Sequence, residues 1–130
     1  MIDVERVSET LRSEIDSFYR GFGDPVALRA AFESAVLIVP ITADQRLRMS
    51  PYRGVEWICA FTSVAEYGRY LHAREELNAD GEYHFHTLAG RRLSEHAAEC
   101  VHPTGVTVDI CGSAPMAFPP EVDEVEVGSD

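Results

Sequence analysis

Lysine is absent from this chain: all eleven basic residues are arginine, against twenty-two Asp and Glu. A GC-rich genome, in which Arg codons are abundant, would account for this usage without any functional demand for guanidinium. The formal net charge is −11, and residues 121–130 (EVDEVEVGSD) carry five of the acids and no base, leaving −6 for residues 1–120. This balance argues against nucleic acid as a partner, because that affinity rests on cationic groups displacing counterions. Anionic membrane surfaces are disfavoured on the same ground. Cysteine is sparse and odd in number; Cys59, Cys100 and Cys111 form no C-x-x-C pair. Reduced thiols and a cytoplasmic location are therefore expected. No apolar run approaches the ~18–20 residues of a membrane span, and the acidic start MIDVERVSET does not read as a secretory signal. There is no Gly-rich phosphate loop.

What is present reads as one small α+β domain. Val4, Val7, Leu11, Ile15, Phe18 and Phe22 recur at steps of three and four, which predicts an N-terminal amphipathic helix over residues 1–24. Gly21 and Gly23 end it. Asp24-Pro25 is an N-cap and first position for a second helix. VLIVPI (Val36 to Ile41) is β-branched and strand-like, RLRMS alternates as a half-exposed strand, and VEWICAF is a third strand. In that strand Trp57, Cys59 and Phe61 share one face, with Ile58 and Ala60 on the other. NADGE is a loop, YHFHTL a strand, Gly90 opens a short helix bearing Leu93, Ala97 and Cys100, and GVTVDI closes the sheet. The expected fold is a mixed or mainly antiparallel sheet of about five strands, with helices mainly on one side. Residues 25–120 form its body, and 121–130 an acidic flexible segment.

The junction AFTSVAE invites comparison with a catalytic elbow, but Ser63 lacks the flanking glycines of G-x-S-x-G. Ser63-Val-Ala-Glu66 instead fits a capping box, with Val64, Tyr67, Tyr70 and Leu71 facing inward behind it. Cys59 lies inside an apolar strand and reads as an inert thiol. Glu75-Glu76 and the acids from Glu121 onward read as solvated. The one pattern with metal-ligand chemistry is His84-x-His86 with His96 and Cys100. Two residues on one strand side and two on one helix turn would supply tetrahedral N/S donors if the faces met. Against this, Cys100 also fits the apolar stripe of its helix.

The ordered segments ALRAAFESAVLIVPIT, WICAFTSVAEYGRYL, GRRLSEHAAEC and GVTVDICGSAPMAFPPEV resemble the N-terminal domain of the SseB family over about residues 28–122. Asp109-Ile110-Cys111-Gly112 departs from the Asn-Pro-rich stretch that follows the last strand in such proteins. The resemblance implies a small bacterial α+β domain, sometimes associated with secretion, and brings no catalytic residue and no cofactor. The resulting expectation is a non-catalytic protein-interaction module. Its partner would be another protein or a second copy, docking on the stripe of Val4, Val7, Leu11, Ile15, Phe18 and Phe22, unless that stripe packs on its own domain. The alternative is a small zinc-binding protein using the His/Cys set, and an enzyme ranks third.

Overall fold

In the computed structural model, residues 8–42, 44, 46–74 and 84–120 are described. Val4, Val7, the NADGE loop with Glu75 and Glu76, Tyr83 and the acidic segment 121–130 lie outside them. The order is α1 (Glu9–Tyr19), α2 (Pro25–Ser34), β1 (Val36–Pro40), β2 (Met49–Tyr52), β3 (Val55–Ala60), α3 (Val64–Ala73), β4 (Phe85–Ala89), α4 (Gly90–Glu99), β5 (Thr104–Val108) and β6 (Met116–Phe118). The chain is a mixed α+β domain with two sheets. β4 pairs antiparallel with β1, and the larger sheet runs β2-β3-β5-β6 with only β3 and β5 parallel. A bridge between Ile38 and Phe61 ties the two sheets together.

Strand alternation sorts the apolar residues into two layers. Leu37 and Val39 of β1, Ile58 and Ala60 of β3, and Val106 and Val108 of β5 face a main core. Leu11 and Ile15 of α1, Leu28, Ala31 and Phe32 of α2, and Leu93 of α4 close that core. On the opposite face Ile38, Cys59 and Phe61 meet Tyr67, Tyr70 and Leu71 of α3. Three helices thus cover one face and α3 the other. The faces predicted for β3 hold. Val64 does not follow the inward pattern: it is the first helical residue and is exposed, the buried stripe being made by Tyr67, Tyr70 and Leu71.

The helix starts follow local chemistry. Asp24 accepts a hydrogen bond from Val26 N–H at 3.0 Å, with Pro25 at the first helical position. Ser63 Oγ accepts from Glu66 N–H at 3.1 Å. Glu66 does not return the bond: its Oε2 takes Arg69 at 3.0 Å, and its buried Oε1 has no hydrogen-bond partner among the described residues. Ser63→Ala is expected to lower stability by about 1 kcal/mol, the usual worth of a cap. An unfolding midpoint equal to the parent's would show that the cap contributes nothing. GVTVDI is not the last strand: the segment CGSAPMAFPP packs across the sheet edge, as its extended composition suggests, and its Met116–Phe118 adds β6 along β5. A three-residue strand carries too little alternation to stand out.

Candidate functional site

Among the described residues, two places hold the polar network and the exposed aromatic side chains that bear on function. The first is the corner at the C-terminal ends of the parallel strands β3 and β5, beside the start of α3. In open α/β sheets ligands occupy such edges. Here the protein's own groups fill it. Thr62, which follows β3, is 1% exposed, and its backbone N–H and Oγ1 donate to the two Asp109 carboxylate oxygens at 2.9 and 2.7 Å. Its carbonyl accepts from Ser8 Oγ at 3.1 Å and from Arg12 at 3.5 Å. Asp109 sits in the left-handed region at φ 52, where a short polar side chain is tolerated. Its carbonyl accepts from Gly112 N–H at 2.9 Å, closing a tight turn. The corner is a lock joining β5, the β3–α3 junction and the head of α1.

Burial holds the Asp109 carboxyl above its ordinary pKa of 3.8, although the Thr62 donors and the Arg12 and Arg69 guanidinia oppose this. The folded chain therefore binds this proton more readily than the unfolded chain. Stability owed to Asp109 is largest below the ordinary value and falls as pH rises through the raised one. Asp109→Asn is expected to remove that slope while still accepting one Thr62 bond. Asp109→Ala strands the buried Thr62 N–H and should cost about 2–3 kcal/mol. Urea midpoints of parent and Asn variant across the acid range check the sign. A parent that gains on the variant as pH rises through the acid range would reverse it.

The residues singled out for metal binding do not assemble. Among the described residues no group of three or more His, Cys, Asp or Glu is placed to hold an ion. His84 and His86 lie at the start of β4 and are exposed, whereas α4 leaves from its far end. His96 is exposed on α4, and the Cys100 thiol donates to the carbonyl of His96 at 3.3 Å. Cys59 is buried, as its strand position implied.

The second place is the end of α1. The predicted stripe divides there. Leu11 and Ile15 are buried in the main core, but Phe18 is 44% and Phe22 84% exposed. The helix stops at Tyr19, and Gly21 at φ 86 turns the backbone, so Phe22 no longer falls on a helical face. Phe18 stays put because Gly23 packs directly on it; a Cβ there would lie 2.5 Å from the Phe18 Cα. Tyr19 donates its hydroxyl proton to the Pro115 carbonyl, fastening this end to the segment before β6. Val26, on the first turn of α2, is 77% exposed beside them in sequence. These large apolar side chains stand on an anchored turn, a form of exposure that marks interaction surfaces. Sequence periodicity found Phe18 and Phe22 but missed Val26, whose exposure follows from Pro25 setting the helix start.

No helix among the described residues is long and apolar enough to cross a membrane. Comparison of the chain with protein-family models, with curated proteins and with solved structures finds no match.

Proposed function

We propose that this domain is a non-catalytic protein-interaction module, acting in the cytoplasm and docking a protein partner through the apolar corner of Phe18, Phe22 and Val26. The observation that carries the reading is that corner: aromatic side chains held in water by a turn that is hydrogen-bonded and packed from behind. Aromatic anchors of this kind supply most of the energy at protein interfaces. The polar corner at Thr62 and Asp109 supports the same reading, because its donors and acceptors are spent on one another. The likeness of residues 28–122 to SseB domains points the same way and suggests secretion-associated proteins as the class of partner.

The test uses Phe22→Asp combined with Val26→Asp, with Val101→Asp as the control. Val101, in the connection between α4 and β5, is 97% exposed, so the control changes a comparable residue outside the α1–α2 turn. The double variant should unfold at the parent's midpoint yet lose a protein that both parent and control retain from a host lysate. If the double variant instead removes a larger species in sedimentation of the pure protein, the partner is a second copy. Equal retention of every captured protein by all three chains contradicts the assignment.

A further inference from the structure

The strands at the sheet ends are β2, β6 and β4. Unpaired strand edges recruit further strands, and proteins commonly blunt them with proline or charge. β2 contains Pro51, and β6 lies between Pro115 and Pro119-Pro120. β4 (FHTLA) contains no proline and no Asp, Glu or Arg, and no described strand pairs with its outer edge. Phe85, His86 and Thr87 are exposed along it. We propose that this edge pairs antiparallel with β4 of a second copy about Thr87, joining the sheets of two chains edge to edge. The surface is separate from the docking corner on α1.

The hydrogen-bond phase of β4 sets that register. Gly90 N–H donates to the Ala35 carbonyl at 2.9 Å, and Ile41 N–H donates to the His84 carbonyl at 3.1 Å. Antiparallel pairs alternate in phase, so His84, His86, Leu88 and Gly90 turn their backbone groups towards β1. Phe85, Thr87 and Ala89 turn theirs outward. The far side of β1 agrees, because there Ile38 and Phe61 exchange N–H···O bonds at 2.9 and 2.8 Å. A two-fold axis at Thr87 sets Thr87 against Thr87 and Phe85 against Ala89, so each outward residue meets another outward residue. The edge is therefore its own complement in hydrogen bonding. Shape and charge follow: threonines pair well across strands, the Phe85 ring meets a small side chain, and no formal charge opposes another. Tyr67 holds that ring in place edge to face, with centroids 5.7 Å apart. The helices before and after β4 bury Leu71 and Leu93 against the two faces of the sheet, which leaves the edge itself open. This match of pattern, size and charge with itself is what names a second copy as the occupant.

Sedimentation of the full chain tests this up to about 1 mM, because a short edge pairing makes a small, reversible interface. The parent should form a dimer in that range. Thr87→Pro removes an outward N–H and leaves the ladder with β1 whole, so it should stay folded and monomeric. Thr87→Glu and Thr87→Lys each set like charges opposite one another across the axis, and should weaken the dimer about tenfold or more. Mixing these two charged variants should restore a dimer, because each mixed pair then opposes unlike charges. A parent that is monomeric throughout overturns the proposal. So does a dimer that survives Thr87→Pro, or one lost instead in Phe22→Asp/Val26→Asp, which would place the contact at the α1 corner. A mixture that stays monomeric overturns the register about Thr87.

Discussion

Leu11→Glu is expected to lower the unfolding free energy by about 3–5 kcal/mol, and by the same amount at every protein concentration. Leu11 is fully buried in the main core, which α1 closes together with α2. A carboxylate there meets no partner and must either stay charged without water or take up a proton. The independence from concentration is the informative half of the result. It follows from Leu11 and Ile15 closing the domain's own core, so no second chain is lost when the side chain changes. Denaturant midpoints measured at two protein concentrations tenfold or more apart decide it. A midpoint loss that shrinks as the protein is concentrated would mean that α1 packs between chains.

The second large effect concerns Gly90, where β4 passes directly into α4. A Cβ on this residue would lie 1.8 Å from the Phe32 carbonyl oxygen and 2.7 Å from its carbonyl carbon. Gly90 N–H also donates to the Ala35 carbonyl at 2.9 Å, which fixes the approach of α4 to the end of α2. Since the obstacle is backbone, Gly90→Ala must push the two helices apart, and a loss of about 3 kcal/mol is expected. Gly68 provides the contrast. It lies inside α3 with nothing within 4 Å of the Cβ position, so Gly68→Ala should raise stability by about 0.5–1 kcal/mol through helix propensity. Thermal or urea unfolding of the two variants should therefore move in opposite directions. Matching shifts would show that close approach at Gly90 is not what its lack of a side chain serves.

Features set by neighbours in the chain were legible in the sequence. Asp24-Pro25 and Ser63 announce helix starts because a cap needs only residues two or three positions away. VLIVPI and VEWICAF announce strands, and their alternation correctly divides Ile58 and Ala60 from Cys59 and Phe61. The lock at Thr62 was not legible. It depends on Ser8 and Asp109 lying 54 and 47 residues away: the parallel pairing of β3 with β5 brings Asp109 to Thr62, and the packing of α1 on the core brings Ser8. In the sequence Asp109 stands out only as a departure from the Asn-Pro-rich loop, whereas its buried hydrogen bonds to Thr62 give the position a structural use. The stripe on α1 was legible as far as the helix runs. Phe22 escaped it because Gly21 reverses the backbone, and a period of three and four has no meaning past that turn. The histidine pattern failed for the opposite reason: spacing matched two faces, but the path from β4 into α4 does not bring those faces together.

The docking corner is tested most directly by hydroxyl-radical footprinting of the free protein and of the protein in its host lysate. In the free protein Phe22 and Phe18 should oxidise readily while Leu11 and Ile15 stay protected, following their exposure and burial. In the lysate the account predicts protection of Phe18, Phe22 and Val26 together, with Val101 and Tyr52 oxidised as before. Unchanged oxidation at Phe22, or protection shared equally with Val101, would contradict it.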